Sequence, residues 1–477
     1  MTELLDAIID QAQFAEEDGE QNKITGVVQE FVSRVASEAS AGSKGAAVGI
    51  SEAIAVIDQQ ISAQLTEILH NEKFKKLEGS WRGLNNLITK TETSSKLKLR
   101  VISATADELT KDLVGAVEFD QSRLFKILYE SEYGSFGGSP YSMIMFDYEF
   151  GSGNKDMTLL REMAGVAAAT HAPLIAAAGA QFFGMEDFTQ LSNPRDLSRV
   201  LDSSEYAKWR SFRETEESRY VALTLPRTLA RAPYGPEGMP VENVNFVEEV
   251  DGVNPDDFVW SNSAWSLAER VTAAFAAHGW TAAIRGVEGG GLVEALPLHT
   301  FKSGAGDVEI VCPTETPITD RREKELSDLG FLPLVHCKGT DTAAFFGGQT
   351  VNKPIEYNDD SATANAKLSA RLPYMFAASR FAHYFKVMLR DKIGSFENAD
   401  SVQNFLQGWV SQFILLDDNG SHAAKAKFPL REARVDVTEV AGSPGEYKAI
   451  AYLRPHFQLE EIDASIRLVA TLPPPAA

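Results

Sequence analysis

Four glycines, Gly286, Gly289, Gly290 and Gly291, stand in Trp280–Pro297, WTAAIRGVEGGGLVEALP, between two apolar runs. Clustered glycines can cradle phosphate, because backbone N–H groups reach an anion where no side chain intervenes. The spacing here argues against that chemistry. GVEGGGLVE fits neither G-x-G-x-x-G nor G-x-x-x-x-G-K-[ST], and Glu288 and Glu294 would repel phosphate. Gly151–Ser152–Gly153–Asn154–Lys155 also lacks the spacing. Glycine runs supply positive φ and close backbone approach, so the expected structure is a tight packed turn.

The other reactive side chains are scattered. His70, His171, His278, His299, His336, His383, His422 and His456 include no pair at i, i+2 or i, i+4, and H-E-x-x-H is absent. His336–Cys337 is the one adjacent metal-capable pair, and its apolar strand setting predicts a core role. No serine sits in G-x-S-x-G, and no two carboxylates are marked as an acid/base pair. These residues imply no cofactor, no metal and no catalytic set. The pattern favours a structural or binding protein over the alternative, an acidic α/β enzyme whose glycine loop takes a cofactor.

With 477 residues the chain is long enough for two or three domains. Its net charge of −22 would repel a phosphate backbone, so nucleic acid is not an expected partner. Residues 1–60 hold eleven acidic and three basic side chains, which suggests an acidic N-terminal arm. Cys312 and Cys337 are the only cysteines, too few for a disulfide framework, and reduced, partly buried thiols in a cytosolic protein are expected. The N-terminus lacks the basic start and apolar core of a signal peptide. Met163–Met185 is uncharged and long enough to span a bilayer, but Ala, Gly, His171 and Pro173 make it a buried helix turning into a core strand. Membrane insertion is therefore not expected.

The elements that would position any site follow from periodicity. Thr2–Ala39 reads as two short amphipathic helices, and Ala39–Gly49 as a linker. Ile50, Ile54, Ile57, Ile61, Leu65 and Ile68 keep one apolar side of a helix, and Phe74, Leu77, Trp81, Leu84 and Ile88 repeat the pattern. Both faces need a partner, from this chain or another. From Leu97 onward strands and helices alternate. LKLRVIS reads as a strand, Thr105–Glu108 as a capping box, YSMIMFDYEF as a buried strand, and WTAAIRG and FLPLVHC as further strands. A helix over Asn365–Lys392 is expected to kink or restart at Pro373. ARVDVTEV, EYKAIAYLRPHF and ASIRLVATL alternate in period two, with AGSPG as a hairpin signal. So small a sheet is marginal alone, which predicts pairing with strands of a neighbouring molecule. The fold class is α/β, in a mixed α+β arrangement.

Several blocks carry a resemblance: SWRGL at 80–84, SEYGSFGGSPY at 131–141, THAPLIAAA at 170–178, RYVALTLPR at 219–227 and the glycine-loop block itself. TDRREKELSDLGFLPLVH at 319–336, AAFFGGQT at 343–350, SARLPYMFAASRFAHYFKVMLRDKIGSF at 369–396 and LRPHFQLEEIDASIRLVATLPPP continue it to the C-terminus. Together they resemble the large subunit of the type VI secretion contractile sheath, the TssC/VipB family, whose core is similar to phage contractile tail sheaths; the sheath of a related contractile particle is the alternative. The resemblance implies a non-enzymatic, cytoplasmic bacterial protomer that pairs with a small sheath subunit, TssB/VipA. The pairs stack with other copies as a helical sleeve around an Hcp tube, on a membrane-anchored baseplate, and contract to drive tube and spike into a target cell. The AAA+ unfoldase ClpV then disassembles the sheath through an N-terminal helix.

Laid onto this chain, the resemblance implies an arm over 1–49, small-subunit docking helices over 50–92, an α/β core over 93–360 and a C-terminal domain over 361–477 with inter-protomer strands at about 433–472. The docking residues are Ile54, Ile57, Ile61, Leu65, Ile68 and Trp81. Strand exchange falls to Tyr447, Ala449, Ala451, Leu453, Ile466 and Leu468, and unfoldase recognition to Leu4, Leu5, Ile8 and Ile9. Asp320, Glu323, Glu325 and Asp328 offer a contact to the tube, with a solvated helix face as the alternative.

Overall fold

A computed structural model describes Gly26, Glu30, Ser33 and residues 46–456, except 194, 237, 243, 253, 303–307, 394, 396–397, 418 and 440–446. Leu4, Leu5, Ile8, Ile9, Ile466 and Leu468 lie outside the described residues. The helices used below are α1 (Ala46–Leu69), α2 (Glu72–Lys90), α3 (Ala106–Gly115), α4 (Asn154–Thr170), α5 (Leu197–Leu201) and α6 (Ala207–Arg213). They continue with α7 (Ala264–His278), α8 (Asp320–Asp328), α9 (Asp360–Ser369), α10 (Leu372–Lys392) and α11 (Ala399–Val410). The strands are β1 (Ile144–Phe150), β2 (Leu174–Ala178), β3 (Val221–Leu225), β4 (Thr228–Leu229), β5 (Trp260–Ser261) and β6 (Leu292–Val293). After them come β7 (Thr300–Lys302), β8 (Val308–Ile310), β9 (Leu332–His336), β10 (Ala343–Phe345), β11 (Leu430–Glu439) and β12 (Tyr447–Pro455).

The chain divides into two compact units: one takes Met1–Lys75, Ala232–Phe258 and His299–Val311, the other Lys76–Arg231, Val259–Leu298 and Cys312–Ala477. In the first unit α1 packs through its small polar side. Ser62 and Thr66 are buried, and the Ser62 hydroxyl accepts from the Val247 N–H at 3.4 Å. The buried Glu248 carboxylate meets His70 Nε2 at 3.1 Å and accepts from the Tyr234 N–H at 2.9 Å. β7 and β8 form an antiparallel pair in this unit.

The second unit is built on a six-stranded sheet in the order β1-β2-β3-β9-β10-β6. β1, β2, β3 and β9 run parallel, and β10 and β6 add antiparallel. Period-two alternation divides the strand side chains between two cores. Leu174, Ala176, Val221 and Leu223 join α4, Phe182, Trp209 and Phe331 on one face. Ile175, Ala222, Leu332 and Leu334 join α7, Leu372 and Phe376 on the other. A third cluster gathers Trp280, Phe381, Leu406, Val410 and Val435 around α10, α11 and β11.

Local signals account for many boundaries. Thr105 and Glu108 form the expected capping box at the start of α3. α4 ends where His171 takes a left-handed φ of 51°, and Pro373 lies in the first turn of α10 after a break from α9. Three expectations are corrected. Residues 97–103 form no strand: the alternation is there, but the segment pairs with no described strand. Trp280–Gly286 is likewise irregular, because Trp280 is drawn into the aromatic cluster with Phe381 at 4.4 Å between ring centroids. β1 is a sheet edge and mostly half-buried, not a buried strand.

Candidate functional site

The glycine loop spends its backbone groups on the protein itself. Gly286 N–H donates to Phe345 O at 2.7 Å, Gly291 N–H to Gly286 O at 2.8 Å, and Phe345 N–H to Gly291 O at 3.0 Å. Gly286 and Gly290 hold φ of 73° and 90°. A Cβ on Gly290 would stand 2.3 Å from Ala283 O, and one on Gly291 2.7 Å from Phe345 O. The loop is the tight packed turn its spacing predicts, laid against β10.

The histidines and thiols sort differently from expectation. No group of three or more His, Cys, Asp or Glu is placed to hold a metal among the described residues. Cys337 is exposed, which corrects the expected core role, while Cys312 is half-buried. His336 Nδ1 faces Cys312 Sγ at 3.4 Å. A separation of 24 residues left no signal of that pairing in the sequence.

The two helical stripes are the most distinctive surface. Ile54, Ile57, Ile61, Leu65 and Ile68 on α1 are all exposed, from 36% at Ile61 to 56% at Ile68. The polar side of α1 packs and its apolar side does not, the reverse of an ordinary amphipathic helix. α2 shows the same inversion. Gly79, Gly83 and Leu87 form its buried side, and a Cβ on Gly79 would lie 2.3 Å from Trp260 O. One on Gly83 would lie 2.3 Å from the Trp265 ring. Arg231 Nε donates to Glu78 at 2.7 Å, and Lys90 meets buried Glu269 at 3.4 Å. Phe74, Leu77, Trp81 and Ile88 are left outward, with Trp81 65% exposed.

The remaining sequence-derived residues are spread over the second unit. β11 and β12 pair antiparallel over Leu430–Pro455, with Ala451 opposite Val435 and Ala449 opposite Val437. The α11 side chains cover the other edge of β11: Val435 N–H donates to Gln407 Oε1 at 2.9 Å, Val437 N–H to Gln403 Oε1 at 3.1 Å, and Gln407 Nε2 to Ala433 O at 3.0 Å. The charged set on α8 is only half outward. Asp320 and Asp328 are exposed, whereas Glu325 accepts from the Leu197 N–H of α5 at 2.8 Å and Glu323 from Ser327 at 2.9 Å. Leu97 and Leu99 line a cleft of about 1170 Å³ together with Met143, Met145 and Trp265.

A half-buried ion cluster lies at the sheet edge. Arg227 grips Glu149 with two bonds of 2.8 and 2.9 Å and reaches Glu315 at 3.6 Å. Burial pushes the Glu315 carboxyl above its ordinary value, against the pull of Arg227. This cluster is internal and is read as structural.

A mixed α/β body whose helices turn large apolar faces outward has the build of an assembly subunit. Comparison with known proteins identifies the assembly. The family model of the EvpB/VC_A0108 tail sheath N-terminal domain matches residues 51–352, and that of its gpW/gp25-like domain matches 361–472. The type VI secretion system sheath protein TssC1 of Pseudomonas aeruginosa is 49% identical over 436 residues, covering 90% of this chain and 87% of that one. The chain belongs to the family of type VI secretion contractile sheath large subunits, TssC/VipB.

Among solved structures, the anti-feeding prophage baseplate gives a TM-score of 0.36 at 11% identity, covering 66% of each chain. A contracted extracellular contractile injection system sheath complex gives 0.35 at 8%, covering 64% of this chain and 68% of that one. No helix among the described residues is long and apolar enough to cross a membrane.

Proposed function

We propose that this chain is a non-catalytic sheath protomer that pairs with a small sheath subunit, TssB/VipA, and polymerises with its own copies around an Hcp tube. The sleeve stands on a baseplate in the cytoplasm, contracts to propel the tube and is recycled by ClpV. One observation carries the reading. The stripes Ile54–Ile68 on α1 and Phe74–Ile88 on α2 stay exposed although the opposite sides of the same helices are packed. Burying a side chain of this size stabilises an interface by about 1.5–3 kcal/mol, so either stripe can supply the affinity for a lasting partner. Family membership supports the identity of that partner.

Further parts of the reading rest on other features. Because Gln403 and Gln407 cover the outer edge of β11, a strand from a neighbouring copy would join this sheet along β12, where Tyr447, Ala449, Ala451 and Leu453 lie. The division into a core over 93–360 and a C-terminal domain over 361–477 belongs to the same proposal. So do the unfoldase contact at Leu4–Phe14 and a tube contact, for which Asp320 and Asp328 are the available α8 carboxylates.

Co-expression with a small sheath subunit tests the whole. Long hollow tubules by electron microscopy are expected, and globular monomers or closed small rings would overturn the reading. Deleting residues 465–477 should abolish tubules and spare the heterodimer.

A further inference from the structure

Cys312 follows β8 and is half-buried. Its Sγ lies 3.4 Å from His336 Nδ1 and 3.2 Å from Thr314 Oγ1. His336 closes β9, and its Nε2 lies 2.8 Å from the Thr340 carbonyl oxygen. A carbonyl only accepts, so Nε2 carries the hydrogen and Nδ1 of the neutral ring is bare, aimed at the thiol. A thiol facing an imidazole nitrogen, with the tautomer held by a third group, is the geometry of an activated nucleophile.

The electrostatics agree with that geometry. Burial works against a charge on Cys312, yet the His336 and Thr314 hydrogen bonds outweigh it and hold the thiol below its ordinary value. Burial also works against a charge on His336, where the bonds to Cys312 and Thr340 outweigh it and hold the imidazole above its ordinary value. The second thiol, Cys337, is exposed.

We propose that Cys312 is a modification site, a nucleophilic thiol that exchanges with small-molecule disulfides with His336 as its base. The Cys312 proton passes to His336 Nδ1, and the thiolate attacks one sulfur of the disulfide. A new S–S bond forms to Cys312 while the original S–S bond breaks. The departing sulfur leaves with the electron pair and takes a proton from the imidazolium or from water. Cys312 is oxidised and the released thiol is reduced, so the disulfide is the only oxidant needed. The product is a mixed disulfide two residues from Thr314, whose backbone bridges Thr228 of β4.

The test uses the full chain carrying Cys337→Ser and the neutral chromogenic probe 4,4′-dithiodipyridine. One equivalent of thiopyridone should be released from the folded protein, with a rate that rises less steeply from pH 6.5 to 7.5 than that of an ordinary thiol. An ordinary thiol rises about tenfold over that interval. Adding His336→Asn to the Cys337→Ser chain should restore the tenfold rise and slow the reaction at pH 6.5 several-fold. Release only after unfolding, or a full tenfold rise, would overturn the proposal. Both of those measurements keep His336, so they decide even where His336→Asn does not fold. A folded His336→Asn chain with an unchanged rate and pH profile would overturn it as well.

Discussion

Gly290 shows how little a residue type says until its surroundings are known. Its φ of 90° and the 2.3 Å between an added Cβ and Ala283 O are two separate demands for glycine, conformational and steric. Gly290→Ala meets both at once, because the opposing atom is backbone and cannot turn aside. The substitution should destabilise the chain by about 2 kcal/mol or more in urea unfolding, with an unchanged m-value. A loss under about 0.5 kcal/mol would mean that the turn is loose. The spacing predicted a tight packed turn here, and Gly286 and Gly290 form one. The sequence missed the Cys312–His336 pair because the two lie on separate segments, and adjacency to Cys337 pointed to the wrong sulfur.

Elements in this chain are joined by buried polar contacts as much as by apolar ones. His383 on α10 is 2% exposed, and its Nε2 donates to the Thr170 carbonyl at 2.8 Å, satisfying an end of α4 that the helix cannot satisfy internally. Burial pulls its pKa down to about 4. The folded state therefore prefers neutral His383, and its contribution is complete above the unfolded value of about 6.5 and is lost as pH falls toward 4. Between pH 7 and pH 5 this single group should cost about 2 kcal/mol of stability. His383→Gln keeps a donor for Thr170 and does not titrate. Chemical unfolding at the two pH values should show that increment missing from the variant, and equal losses in both proteins would refute the assignment. The same scale holds the main misreading. Residues 97–103 alternate as a strand should, yet alternation specifies a face and not the neighbour that must supply the hydrogen bonds.

At the scale of the whole molecule, exposure of the stripes separates two roles that periodicity merges. A buried stripe maintains a fold, whereas an exposed one is available to a partner. Trp81→Glu and Ile57→Glu place charge where the free chain already meets water, so thermal unfolding of the free chain should shift by no more than a degree or two. In co-purification the same substitutions should weaken capture of the small sheath subunit by at least tenfold, since a charge buried in an apolar interface is left unpaired. A large fall in the melting temperature would instead assign the stripes to the protein's own core.

The sequence alone determined what depends on near neighbours along the chain: the α/β alternation, the capping box at Thr105, an interruption at Pro373, the glycine turn and the ordered blocks that mark the family. Local spacing suffices for these, because helical and strand periodicities and turn conformations are set within a few residues. The tertiary structure decided which side of each helix is covered. On α1 and α2 hydrophobicity left open whether this chain or another covers the Ile and Trp faces, and Ser62, Thr66, Gly79, Gly83 and Leu87 are the residues seated. The physical reason is close approach. Small side chains let a backbone come near another chain segment, and this leaves the bulky faces of both helices outward.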